Sequence, residues 1–231
     1  MKLLMATSAD AGIKNYTSYT LPIQRMWAKK WEADYMVLDD PAYSRRAMWC
    51  YRTLVFYDLL ESYDRILYLD ADIIINKNCP NIFETVPYDT IGAVLEDKGS
   101  RREERLDRIR RTKAHLGEID WQEGFFNMGI YIVSKIHRDM FKKVDGKLWE
   151  DTGWDSPFYS YQIARLGYKY IDLGYKFNHM SMFSEAWNGS PSRFDSYIIH
   201  YAGGAKFPDK GKRNMEQVLI DDMKKIYRDD L

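Results

Sequence analysis

At 231 residues the chain has the length of one large domain, and 45% hydrophobic with 29% charged residues leaves room for a substantial core. Its 34 basic and 34 acidic side chains cancel, which argues against a nucleic-acid partner, because such proteins carry a basic excess. The two cysteines, Cys50 and Cys79, have no zinc-ligand spacing and imply no disulfide framework.

The first residues, Met1 to Ala6, are too short an apolar run for a signal peptide. No stretch approaches the roughly 18 apolar residues needed to cross a bilayer. Residues 1–231 are therefore read as a single soluble domain in a reducing, cytoplasmic setting, with no transmembrane segment. In chain order, Lys2 to Thr7 predicts a strand that runs into a polar loop, and Tyr16 to Trp31 a helix with Leu21, Ile23, Met26 and Trp27 on its apolar face. Tyr35 to Leu38 predicts a second strand closed by Asp39-Asp40-Pro41. Trp49 to Leu60 predicts a helix and Arg65 to Leu69 a buried strand. Ile91 to Leu95 and Met128 to Val133 add strands; Phe158 to Leu166 and Met215 to Ile226 add helices. Strands alternating with helices imply an α/β fold with a mostly parallel central sheet flanked by helices. Between them, Lys98 to Lys113 carries eight basic and three acidic residues. It reads as a solvated helix face or loop, or as a flap near an anionic ligand.

The most informative segment is Arg65-Ile66-Leu67-Tyr68-Leu69-Asp70-Ala71-Asp72-Ile73-Ile74-Ile75. Two carboxylates bracketed by buried strands are costly unless a cation compensates them. In open α/β sheets ligands collect at the carboxyl ends of strands, where this pair falls. A divalent ion, Mn²⁺ or Mg²⁺, would join the carboxylates to diphosphate oxygens. An Asp-x-Asp pair also occurs in phosphatases that use the first Asp as nucleophile, but there Thr or Val usually follows where Ile74 stands. The second segment, Ile198-Ile199-His200-Tyr201-Ala202-Gly203-Gly204-Ala205-Lys206, ends a strand at a histidine and follows it with glycines and a lysine. That combination suits a nitrogen ligand for Mn²⁺ and a phosphate-binding loop.

Tyr68-Leu69-Asp70-Ala71-Asp72, Phe126-Asn127-Met128-Gly129 and His200-Tyr201-Ala202-Gly203-Gly204-Ala205-Lys206 together resemble, in order, glycosyltransferase family 8, which includes glycogenin and bacterial galactosyltransferases of the GT-A fold. The resemblance implies one GT-A domain that transfers a sugar from a UDP-sugar to a hydroxyl of a carbohydrate or glycoconjugate acceptor, with retention of anomeric configuration. It implies Asp70, Asp72 and His200 as metal ligands, Asp70 also reaching the ribose, and Gly203 and Lys206 on the diphosphate. Ala6, Thr7 and Tyr16 match the uracil loop, and Arg52 a basic residue near nucleotide and sugar. Asp97, or Glu96 in its place, matches a carboxylate on donor-sugar hydroxyls. Asn127 and Asp155 match polar groups beside the reacting sugar, Asp155 being also the candidate base of an inverting enzyme. The family commonly has Asp-Gln where this chain has Asp155-Ser156, and Lys-Pro-Trp where it has Lys206-Phe207-Pro208, departures that bear on donor-sugar and acceptor identity. Two other functions fit the same Asp pair: a metal-dependent phosphohydrolase or nucleotidyltransferase, and a sugar-nucleotide binder without turnover.

Overall fold

The computed structural model describes residues 1–9, 11–39, 48–149, 151 and 155–228, with backbone alone at 11 and 48–54. Asp10, the Asp40-Pro41 turn, the side chains of Cys50 and Arg52, and the tail 229–231 lie outside this description. The elements are β1 (Leu3–Ser8), α1 (Lys14–Lys30), β2 (Asp34–Leu38), α2 (Met48–Ser62), β3 (Arg65–Leu69), β4 (Ile73–Ile75) and α3 (Ile82–Thr85) in the first half. The second half holds β5 (Ile91–Leu95), α4 (Arg102–Leu116), β6 (Phe126–Ser134), α5 (Ser156–Leu166), β7 (Tyr170–Asp172), β8 (Ile198–His200) and α6 (Met215–Ile226).

Six strands form one sheet in the order β2-β1-β3-β6-β5-β7, and only β6 runs against the others. The central strands are apolar without interruption because both their faces are covered. Every residue of β3 is buried, with Leu67 and Leu69 facing one core while Ile66 and Tyr68 face the other. In the first core, α1 supplies Ile23 and Trp27, α6 supplies Val218, Leu219 and Met223, and β4 and β8 pack in between. In the second, α2, α4 and α5 supply Phe56, Ile109 and Phe158. Burying each such side chain contributes about 1.5–3 kcal/mol, so layers on both sides hold the sheet. No helix among the described residues is long and apolar enough to cross a membrane.

The segment Ile73-Ile74-Ile75 does not rejoin the large sheet. It pairs antiparallel with β8 in a separate two-stranded sheet, Ile73 opposite His200 and Ile75 opposite Ile198. An antiparallel pair outside the mostly parallel sheet thus brings the Asp pair and His200 together. The chain leaves the sheet plane at Asp70 to Asp72, so the returning strand meets it head to tail. The topology gathers one edge of the large sheet into a single region. The carboxyl ends of β1, β3 and β5 and the amino end of the reversed β6 all lie there, placing Thr7, Asp70, Glu96 and Asn127 along it.

Candidate active site

Asp70 leaves β3 with its amide held by the Gly129 carbonyl at 2.7 Å, and its own carbonyl accepts from Gln24 at 3.0 Å. Tyr68 donates to Asp70 Oδ1 at 2.9 Å. Asp72 is fixed through its carbonyl, which accepts from the Tyr201 amide at 3.0 Å. His200 Nε2 then lies 3.3 Å from Asp72 Oδ1 and 3.6 Å from Asp70 Oδ2. One ligand atom from each of the three residues falls within 4.8 Å of the others, a spacing that one ion can span.

Two further observations test whether these groups suit a metal. Burial by itself would push the His200 imidazole down, yet Asp72 and then Asp70 outweigh it and hold it above its usual value. A positive charge is therefore favoured at this point, and a divalent ion satisfies the same demand. Space is reserved as well. A Cβ on Gly129 would meet His200 Cε1 at 2.3 Å and Asp70 Oδ2 at 2.7 Å, so glycine is the residue that lets the strand pass beneath the cluster.

The orientation of His200 is fixed by a chain of hydrogen bonds that starts from a group with no choice of role. The Gly129 amide can only donate, and it donates to Asn127 Oδ1 at 3.0 Å. Asn178 Nδ2 donates to the same oxygen at 2.9 Å, which turns Asn178 Oδ1 toward His200 Nδ1 at 2.8 Å. Nδ1 therefore carries hydrogen and Nε2 faces the two carboxylates, as a metal-ligating imidazole requires. Asn178 went unread in the sequence because it sits in a run of short 3₁₀ turns without periodicity. Replacing Asn178 with Leu keeps volume but removes the acceptor. We expect metal affinity, measured by calorimetry, to fall about 10- to 100-fold. His179 next to it has a different role. It is locked between Ser196 and Ser184, and burial followed by Arg193 pushes its pKa down to about 4.

The loop after His200 has Gly203, Gly204 and Ala205 at φ 62°, 81° and 49°, three successive left-handed residues of which two are glycine. Both ends of the loop are anchored. Tyr201 donates to Asp222 at 2.8 Å, and Arg193, itself buried, binds Asp222 at 2.6 Å and Asp209 at 2.6 Å. Gly203 lines a cavity of about 230 Å³ whose walls also include Asn127, Ser156, Glu96 and residues of α4. Lys206 is exposed at the end of the loop.

The remaining expected residues divide by position. Ala6 and Thr7 are buried at the carboxyl end of β1, beside β3, and Tyr16 packs on the small cluster that contains Ala71. Of the two acidic candidates after β5, Glu96 faces the cavity and accepts from Asn127 at 3.2 Å. Asp97 instead binds the Gly124 amide at 2.7 Å, holding the approach to β6. Asp155 is buried just ahead of α5, and its neighbour Ser156 lines the cavity. The side chain of Arg52 lies outside the described residues. The basic segment is helical, and α4 turns part of its arginine face into a cavity wall instead of solvent.

Over residues 10–208 the sequence matches glycosyl transferase family 8. The chain belongs to this family. It is a glycosyltransferase of the GT-A fold. A search among curated proteins finds no match. Among solved structures, a glycosyltransferase involved in glycosylating the major capsid of the virus PBCV-1 is similar with TM-score 0.65 and 13% identity, over 98% of this chain and 100% of that one. The galactosyltransferase LgtC, in complex with donor and acceptor sugar analogues, has TM-score 0.54 and 16% identity, over 99% and 100%. The glycosyltransferase GlyE of Streptococcus pneumoniae has TM-score 0.56 and 11% identity, over 96% and 60%. These likenesses concern the fold.

Proposed function

We propose that this glycosyltransferase transfers a sugar from a UDP-sugar to a carbohydrate or glycoconjugate hydroxyl, with a divalent ion, Mn²⁺ by preference, held by Asp70, Asp72 and His200. The observation that carries the reading is the Asp-Asp-His cluster at the collected strand ends, with a glycine beneath it and an oriented Nε2 facing in. A mixed oxygen and nitrogen ligand set favours Mn²⁺ over Mg²⁺. The shared core of the large and small sheets supports treating residues 1–231 as one domain.

When bound, the ion supplies Lewis-acid stabilisation of the negative charge that develops on the departing diphosphate. The chain's own residues do the rest. Asp70, Asp72 and His200 fix the ion's place. Gly203, in the left-handed loop, lets backbone approach the diphosphate, and Lys206 neutralises its charge. Ala6, Thr7 and Tyr16, beside the end of β3, hold the uracil, with Arg52 near nucleotide and sugar. Asn127 and Glu96 orient the sugar from the cavity side, with Asp155 close behind Ser156. The reading has the acceptor hydroxyl attack from the leaving-group face, which retains configuration.

Calorimetry with UDP and GDP, each with Mn²⁺ and with chelator, tests the assignment. We expect UDP to bind more tightly than GDP and to lose most of its affinity when the metal is removed. A preference for GDP, or binding indifferent to chelator, would sink the donor and metal assignments respectively.

A further inference from the structure

The cavity beside Asn127 carries more positive charge than a neutral sugar needs. Arg101, the residue that caps the start of α4, and Arg105 and Arg108 within α4 line it at the spacing of one helix face. Two carboxylates face them. Arg105 Nε binds Glu96 at 2.7 Å, and with their side chains 11% and 5% exposed the two form a buried, neutral pair. What remains is one carboxylate shared by the other two guanidiniums. Glu104 takes Arg101 at 3.2 Å and Arg108 at 2.5 Å, and Arg105 Nη1 also approaches it at 3.0 Å. Although burial pushes the Glu104 carboxyl up, Arg105, Arg108 and Arg101 hold it below its usual range, so it is ionised and the count stands.

Three guanidiniums against two carboxylates leave one uncompensated positive charge on the wall. Arg108 is 18% exposed and Arg101 42%, so that charge is held partly out of water at the cavity wall. Withdrawn charge is unfavourable unless an anion meets it, and a planar guanidinium fork suits a carboxylate or a phosphate. Arg105 Nη1, buried and without a hydrogen-bond acceptor despite its nearness to Glu104, is one donor such an anion would satisfy. The nucleotide diphosphate meets this cavity at Gly203, but in the reading above a divalent ion and Lys206 already match its charge. The other cavity groups, Asn127, Ser156 and Ser181, are neutral hydrogen-bonding partners of the kind that hydroxyls take.

We infer that the cavity receives a sugar bearing an anionic group, a carboxylate or a phosphate, read by Arg101 at the start of α4 and Arg108 within it. This rests on the glycosyltransferase reading and names the substrate class of the same site. The anion can reside on the transferred sugar or on the acceptor, and two experimental arms separate these. In the donor arm, calorimetry with Mn²⁺ compares UDP-glucuronate with UDP-glucose. In the acceptor arm, the protein with Mn²⁺ and UDP is applied to an array of matched neutral, uronate-bearing and phosphorylated glycans. We expect one arm to show a preference for the acidic member of about 10- to 100-fold, and the Arg101→Gln/Arg108→Gln protein to lose it. UDP alone with Mn²⁺ should bind the variant as it binds the native protein. No acidic preference in either arm, or a preference that survives the double substitution, overturns the inference. So does a variant whose affinity for UDP itself falls, because the arginines would then serve the diphosphate. Failure of the native protein to bind UDP with Mn²⁺ would count against the proposed donor, not against the cavity charge alone.

Discussion

Asp72→Ala is expected to abolish sugar transfer while leaving the protein folded. Asp72 contributes the oxygen nearest to His200 Nε2, at 3.3 Å, and stands just ahead of β4, which keeps its own pairing with β8 through Ile73 and His200. Its carboxylate is partly exposed, so removing it opens no core cavity. What disappears is one of the two negative charges that make the point attractive to a divalent ion. Lewis-acid stabilisation worth several kcal/mol corresponds to a rate loss of about 10²- to 10⁴-fold. The same substitution should weaken UDP binding only when metal is present. Steady-state transfer, together with calorimetry in Mn²⁺ and in chelator, checks both parts. A variant that turns over normally, or one that loses UDP affinity equally in chelator, would remove Asp72 from the metal site.

Gly129→Ala is expected to be nearly as damaging, for a steric reason. The added Cβ would lie 2.3 Å from His200 Cε1, 2.7 Å from Asp70 Oδ2 and 2.9 Å from Asn127 Oδ1. The strand cannot retreat, because the Gly129 carbonyl holds the Asp70 amide and the Gly129 amide holds Asn127. The side chains must therefore move, and all three belong to the site. Overpacking of this kind costs about 1–3 kcal/mol of stability, so the fold survives, but metal-induced thermal stabilisation and transfer should both be lost. Gly203→Ala is the internal comparison. A Cβ there meets nothing within 4 Å, and the left-handed φ of 62° adds only about 1–2 kcal/mol of backbone strain. Transfer by Gly203→Ala should therefore exceed transfer by Gly129→Ala. Equal activities would mean that the close packing over Gly129 is unimportant.

Much of this was legible in the chain because it follows period and punctuation. β3 is a continuous apolar run that ends in Asp70, and Met215 to Ile226 forms the expected helix, which Asn214 caps. His200 was identifiable because an apolar strand stops there. The partner of that strand was not, since three isoleucines carry no information on whether they pair parallel or antiparallel. β7 was missed because Tyr170 and Ile171 are exposed at a sheet edge and leave no buried pattern. The ambiguity between Glu96 and Asp97 has a local cause. The pairing of β5 with β6 shifts register between Ala93 and Val94, so alternation counted from Ile91 fails to say which acidic residue faces the site. Asn178 was illegible because its importance lies wholly in what its two amide ends touch.

The most direct test of the metal-centred site is a crystal structure with Mn²⁺ and UDP, with the ion located by its anomalous signal. A peak within about 2.0–2.3 Å of Asp72 and of His200 Nε2, with Asp70 adjoining and diphosphate oxygens completing the shell, is the expected result. An ion bound elsewhere, or one more than about 5 Å from His200, well beyond ligand distance, would contradict it.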